Sequence, residues 1–125
     1  MKRPPAVTIL TGELDLHASR TLGQRLSAEV GAGVAAADVI LDLSAVSFID
    51  SSALGVIVQA EQRLGRQGRG LAVVAPKGTV AADMVQITRV DRTRRIAETQ
   101  AEAQARLAAD ERAGGPPGGA PPMPS

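Results

Sequence analysis

The chain has 125 residues, enough for one domain with a single buried core, and a formal net charge of +1, which creates no general attraction to nucleic acid or membranes. It has no cysteine and one histidine, which excludes disulfides, thiolate chemistry and a cysteine or histidine metal cluster, and Phe48 is its sole aromatic residue. No apolar run approaches the roughly 20 residues that span a bilayer, and none of signal-peptide length follows the start, so we expect a cytoplasmic protein.

Strands and helices are predicted to alternate along the chain. A strand at 7–11 ends at Gly12, and Asp15 is positioned to cap a helix whose apolar residues recur every four positions. The later elements are a strand at 39–43, a helix at 51–67, a strand at 71–75, a helix near 80–88, a short strand near 95–97 and a helix at 101–109. In the helix at 51–67, Leu54 and Ile57 belong to the apolar side and Glu61 is expected on the polar side.

This alternation indicates an α/β fold with a mostly parallel β-sheet and packed α-helices. We expect one domain over residues 1–112. Residues 113–125 are rich in glycine and proline and cannot bury enough apolar surface to order themselves, so we expect a disordered tail there.

Asp50, Ser51 and Ser52 stand where the second strand gives way to the second helix. The Asp50 carboxylate can cap the helix by accepting from the first-turn amides. The same helix start favours negative charge, so a hydroxyl there is suited to carry a phosphate. The two interpretations share one geometry, and the residues alone leave both hydroxyls as candidates.

Other interpretations of the polar residues are weaker. Ser51 as a catalytic nucleophile would need His17 as its base, and it lacks the Gly-x-Ser-x-Gly context; we expect His17 at the surface or in a cap. Glu13 and Asp15 are expected to be solvated or capping rather than an acid–base pair. For Gly55, helix packing is favoured over a flat docking surface. The basic residues of the segment at 89–95 are expected to be solvated, with binding to an acidic partner as the alternative: Arg89, Arg92, Arg94 and Arg95.

Three blocks of the chain resemble the successive signatures of the STAS domain, and more narrowly the bacterial anti-sigma factor antagonists. They are residues 10–15 (LTGELD), 39–44 (VILDLS) and 48–57 (FIDSSALGVI). The resemblance implies a mixed, mostly parallel β-sheet with packed helices. It also implies that Ser51, the first serine of Asp-Ser-Ser, is phosphorylated by a cognate anti-sigma factor that is a serine kinase.

By this resemblance the protein is a substrate and binding partner rather than an enzyme. Unphosphorylated, it binds the kinase and releases a sigma factor; a serine phosphatase resets it, and ATP belongs to the kinase. The implied partner-binding residues are Asp15, Asp50, Ser51, Ser52, Ala53 and Gly55. No catalytic residue, metal, cofactor, nucleic acid or membrane is implied. The alternative is a non-switching STAS module: a scaffold, or a small cytoplasmic subunit of a transport complex.

Two positions depart from the family pattern. Ala53 stands where a glycine is frequent after Asp-Ser-Ser. Family members also usually carry a strand ahead of the one at 7–11, whereas only six residues precede it here, including Pro4 and Pro5. An edge without that strand would be exposed, so we expect weak homodimerisation through it.

Overall fold

The computed structural model describes residues 4–33, 35–88 and 95–112. Strands and helices alternate in it as predicted. The strands are β1 (Ala6–Leu14), β2 (Val39–Ile49), β3 (Leu71–Val74) and β4 (Arg95–Ala97). The helices are α1 (Leu16–Gly31), α2 (Ser51–Arg66), α3 (Val80–Thr88) and α4 (Gln100–Arg112). The predicted tail at 113–125 and Arg89, Arg92 and Arg94 lie outside the described residues.

The four strands form one sheet in the order β1-β2-β3-β4, and all three pairings are parallel. A parallel partner can be reached only through a crossover, and a helix fills each crossover here. Because right-handed crossovers that step in one direction place their helices on one face, α1, α2 and α3 share that face. The predicted α/β class is confirmed.

An apolar cluster lies on each face of the sheet. The larger joins strand side chains such as Leu41 and Val73 to buried residues of the first three helices, including Leu26 and Leu64. The smaller lies on the opposite face, where Ala103 and Leu107 of α4 pack on Ile40 of β2 and on β3 and β4. Within the described residues, no helix is long and apolar enough to cross a membrane.

Strand β2 is longer than the predicted 39–43 segment. Its register with β1 shifts twice, between Ile9 and Thr11 and between Gly12 and Glu13, and each shift places an extra residue in β2. Bulges of this kind break the alternation of side chains, so Val46 and Ile49 both face the core although they are three residues apart. Because the alternation is interrupted, the second half of the strand was not predicted from apolar residues at every second position.

The expectation that Glu61 lies on the exposed, polar side of α2 is wrong. It is only 4% exposed, because it follows Ile57 by four residues and therefore lies on the helix face that packs against the sheet. Its charge suggested solvent, but its position on the helix decided its burial.

A buried arginine forms hydrogen bonds near the amino ends of the strands. Arg69 is 1% exposed; its guanidinium donates to the Ala37 carbonyl at 2.8 and 3.0 Å and to the Glu29 carbonyl at 2.6 Å. The Gln67 amide group donates in turn to the Val30 carbonyl at 2.8 Å. The bonds to Glu29 and Val30 add side-chain donors to carbonyls at the end of α1, which also accept from the Ala32 and Gly33 amides. The candidate site lies at the opposite, carboxyl ends of β1 and β2.

Candidate functional site

Helices α1 and α2 begin side by side where the paired strands β1 and β2 end, and α3 begins after β3. The β1 residue Leu14 pairs with Ile49 of β2, and the Asp50 amide donates to the Leu14 carbonyl at 3.2 Å. Each helix start is capped by a side chain. Asp15 accepts from the Ala18 amide at 2.9 Å, Asp50 accepts from Ala53 at 3.1 Å, and Thr79 accepts from Ala82 at 3.2 Å. The predicted caps at Asp15 and Asp50 are confirmed, and the fold brings them to neighbouring strand ends.

Asp50 holds the first turn of α2 in place. Its carboxylate accepts from the Ser52 hydroxyl at 2.5 Å and from the Ala53 amide at 3.1 Å. These two bonds, the hydroxyl first, hold the pKa of Asp50 below its ordinary value of 3.8. Asp50 is therefore ionised at neutral pH and sets a negative charge beside the adjacent serines.

The two candidate hydroxyls lie in different environments. Ser52 is half-buried; its hydroxyl bonds Asp50 and lies 3.5 Å from the Ser19 hydroxyl on α1. Ser51 is exposed, and its hydroxyl has no hydrogen-bond partner among the residues that the structure describes. A phosphate on Ser52 would require the Asp50 bond to break and the charge to approach α1. Ser51 is exposed, so a phosphate on it would break no hydrogen bond among the residues that the structure describes.

Three large apolar residues near the starts of helices or the end of β2 are exposed, which the apolar pattern of the sequence did not predict. Leu16 is 62% exposed at the start of α1, Phe48 is 46% exposed near the end of β2, and Val80 is 40% exposed at the start of α3. We call these three residues the apolar rim. Leu16 begins α1 beside the start of α2, Phe48 precedes Ser51 by three residues, and Val80 begins α3. Leu16 could have been noticed, because it lies outside the four-residue repeat of Leu22, Leu26 and Val30.

Ala53 and Gly55 have different roles in α2. Ala53 is fully buried and donates its amide to Asp50, so its side chain faces the core. Gly55 is exposed, and a methyl group added to it would meet no atom within 4 Å. The packing explanation predicted for Gly55 is therefore wrong. Because Gly55 follows Ser51 by four residues, both lie on the same face of α2, which Gly55 leaves flat.

The residues considered for acid–base chemistry, His17, Glu13 and Asp15, lie at or near the start of α1. His17 is exposed in the first turn of α1, and no hydrogen bond links it to Ser51 in the described part of the chain. Glu13 is exposed near the end of β1, and Asp15 acts as a cap. In residues 4–33, 35–88 and 95–112, no group of three or more acidic or histidine side chains could hold a metal ion.

The comparisons with known proteins agree on one family. The family model for the STAS domain matches residues 2–103. An anti-sigma factor antagonist from Mycobacterium paratuberculosis is 27% identical, with 82% of this chain and 84% of that chain covered and a TM-score of 0.73.

Two further structures are similar. A Thermotoga maritima protein provisionally assigned as an anti-sigma factor antagonist is 30% identical over 82% of this chain and 87% of that one, with a TM-score of 0.69. The Bacillus cell fate determinant SpoIIAA, in its phosphorylated form, is 24% identical over 86% of this chain and 95% of that one. Its TM-score is 0.59, and the likeness concerns the fold.

Proposed function

This chain belongs to the STAS domain family, and on that basis we propose that it is an anti-sigma factor antagonist whose binding is switched off by phosphorylation of Ser51. Unphosphorylated, it binds a cognate anti-sigma factor serine kinase, so that the kinase releases its sigma factor. The protein acts as substrate and binding partner rather than as enzyme. The solved relatives that are described as anti-sigma factor antagonists support this general function.

The contrast between the two adjacent serines carries the proposal. A kinase must bring its nucleotide to a hydroxyl it can reach, and Ser51 is exposed while the Ser52 hydroxyl is bonded to Asp50 at 2.5 Å. In the transfer, the Ser51 oxygen bonds the γ-phosphorus of ATP, the bond to ADP breaks, and the hydroxyl proton passes to a base on the kinase. A serine phosphatase restores the hydroxyl by hydrolysis. The likeness to SpoIIAA concerns only the fold. The choice of Ser51 therefore rests on the surroundings of Ser51 in this chain.

The charges explain why one phosphate would change binding and not the fold. Phosphorylation adds close to two negative charges at the start of α2. The unpaired amides of a helix start stabilise negative charge, while the ionised Asp50 opposes it. The buried face of α2 is untouched, so the domain stays folded.

The apolar rim supplies the surface on which the switch acts. Leu16, Phe48 and Val80 leave apolar side chains exposed, and a partner that covers them would remove apolar surface from water, which favours association. A phosphate on Ser51 would have to lose its water when a partner covers the start of α2, and that cost opposes binding.

Ser51 and Ser52 form a matched pair for the first test. The Ser51→Ala chain serves as bait for the kinase, which is then purified and incubated with ATP and each variant. We expect intact-mass and peptide analysis to show one phosphate on the wild-type chain at Ser51, one on Ser52→Ala, and none on Ser51→Ala. Phosphate at Ser52, or none on the wild-type chain, would contradict the proposal, and the second outcome would favour the non-switching module.

Binding provides the second test. Ser51→Ala is expected to hold the kinase whether or not ATP is present, and Ser51→Asp to bind weakly. Leu16→Lys is expected to weaken binding about tenfold or more, because it places a charge in the rim. Ile9→Lys is its control, since Ile9 is equally exposed at 61% but lies on the edge strand. Equal losses from both variants would contradict the role of the rim.

A further inference from the structure

Helices α1 and α2 together form one exposed surface. A methyl group added to Gly23 of α1 would lie 3.8 Å from Val56 of α2. The hydroxyls of Ser19 and Ser52 lie 3.5 Å apart, so the two helices also meet near their starts. The residues that both helices turn toward solvent recur at helical spacing, and we call them the α1–α2 surface: Arg20, Gln24 and Ser27 on α1, and Gly55, Gln59, Gln62, Arg63 and Arg66 on α2.

Every charged side chain of the α1–α2 surface is positive. Arg20, Arg63 and Arg66 are exposed, and none of them forms an ion pair within residues 4–33, 35–88 and 95–112. Arg63 follows Val56 by seven residues and therefore lies on the side of α2 that faces α1. Arg20 precedes Gly23 by three residues and lies beside the same helix contact. The arginines of the two helices thus belong to one surface.

The carboxylates of the two helices do not balance these charges. Each helix contains a single carboxylate. Glu61 of α2 is buried, and Glu29 of α1 lies 3.5 Å from the guanidinium of the buried Arg69. The acidic caps Asp15 and Asp50 precede the helices. The α1–α2 surface is therefore positive, although the chain as a whole has a formal net charge of only +1.

The fold accounts for two of the three arginines. Arg63 and Arg66 lie in the last turn of α2, where the unpaired carbonyls of the helix favour positive charge. Arg20 lies close to the start of α1, where the unpaired amides favour negative charge. It follows Leu16 of the apolar rim by four residues, so both lie on the same helix face. A partner that covers Leu16 would therefore meet Arg20.

We propose that the α1–α2 surface binds an acidic surface of a partner protein, with carboxylates facing Arg20, Arg63 and Arg66. The identification of that partner as the anti-sigma factor kinase rests on the function proposed above. Arg66 follows Ser51 by fifteen residues of α2, or about 22 Å, so one partner can cover both. Arginine suits this role, because its guanidinium is weakly hydrated and binds a carboxylate through two parallel hydrogen bonds.

An acidic partner also explains the direction of the proposed switch. Phosphorylation of Ser51 adds close to two negative charges at one end of the α1–α2 surface. Like charges that face each other across an interface oppose association. The unmodified chain therefore attracts such a partner through its arginines, and the phosphorylated chain repels it at Ser51.

The association rate with the purified kinase is the first test. At low salt, Arg20→Glu is expected to lower the rate constant about tenfold, because reversing a charge at an interface acts mainly on association. The difference should shrink as salt rises from about 0.1 M to 1 M, since the screening length falls from about 10 Å to 3 Å. Arg25→Glu is the matched control: Arg25 is exposed on the same helix but lines the groove beside β1. Its rate constant should change less than about twofold.

A second test needs neither the kinase nor a phosphate. Poly-L-glutamate serves as the acidic probe in an NMR titration of the backbone amides of the full chain. The largest shifts are expected on the α1–α2 surface, for example at Gln24 and Gln59, and they should disappear at high salt. The triple variant Arg20→Gln, Arg63→Gln, Arg66→Gln should lose them, while its circular dichroism stays that of the wild-type chain.

The two tests separate this inference from the proposed function. Equal association rates for Arg20→Glu and Arg25→Glu would contradict the acidic partner surface and leave the switch at Ser51 in place. Larger polyglutamate shifts outside the α1–α2 surface would overturn the inference whatever the kinase does. A random-sequence DNA duplex that binds this surface more tightly than polyglutamate would reassign it to nucleic acid. The expected polyglutamate result without phosphate at Ser51 would refute the proposed function and support the acidic ligand.

Discussion

Replacing Gly55 with alanine should stabilise the fold and weaken partner binding at once. Gly55 lies within α2 and is not among the glycines with positive φ, so alanine can adopt its conformation. Alanine is favoured over glycine in a helix interior by about 1 kcal/mol. The added methyl group meets no atom within 4 Å, so no clash offsets this gain.

Urea unfolding monitored by circular dichroism measures the gain. The free energy of unfolding should rise by about 1 kcal/mol with an unchanged dependence on urea. For a domain of about 100 residues the melting temperature should rise by about 4–8 °C. Binding to the purified kinase is measured on the same samples, and it should weaken because the methyl group stands on the face that also holds Ser51.

Gly23→Ala is the matched control. Gly23 lies within α1, and its added methyl group would reach Val56 at an ordinary contact distance of 3.8 Å. It should bring a similar gain in stability without a change in binding. A loss of stability in Gly55→Ala would refute the open environment assigned to it. A gain in stability with unchanged binding would refute its place in the docking surface and leave the fold description intact.

Two further predictions concern buried polar groups. Arg69→Met should lower the free energy of unfolding by about 1–3 kcal/mol, because the Ala37 carbonyl loses both of its guanidinium donors; urea unfolding that shows a loss below about 1 kcal/mol would contradict the importance of these bonds. Burial acts to raise the pKa of Asp42, but bonds from Ser44 and Gln100 outweigh it, so that the pKa lies below 3.8. Its contribution to stability is therefore complete above that value and lost as pH falls through the lower folded-state pKa, and the difference between the wild-type chain and Asp42→Asn should shrink below pH 3.8.

The same turn that caps α2 also distinguishes its two serines. Asp50 accepts from the hydroxyl of Ser52, whereas the exposed Ser51 hydroxyl has no partner in the described part of the chain. The cap and the proposed switch are thus consequences of one hydrogen-bond arrangement.

Local pattern alone determined much of this fold. The order of strands and helices, the caps at Asp15 and Asp50, and the short strand at 95–97 follow from apolar periodicity and from residues that stop or start helices. These features depend on neighbours within a few positions in the chain, so the sequence contains the information directly. The family blocks added the choice of Ser51 over Ser52, which the residues alone left open.

Tertiary structure decided the rest. The second half of β2 depends on two bulges that only its pairing with β1 reveals, and the burial of Glu61 depends on the face of α2 that meets the sheet. Exposure likewise depends on which helices and strands pack nearby. This holds for Ser51, for Gly55 and for the apolar rim. Contacts between residues distant in sequence determine all of these, and no local pattern encodes such distances.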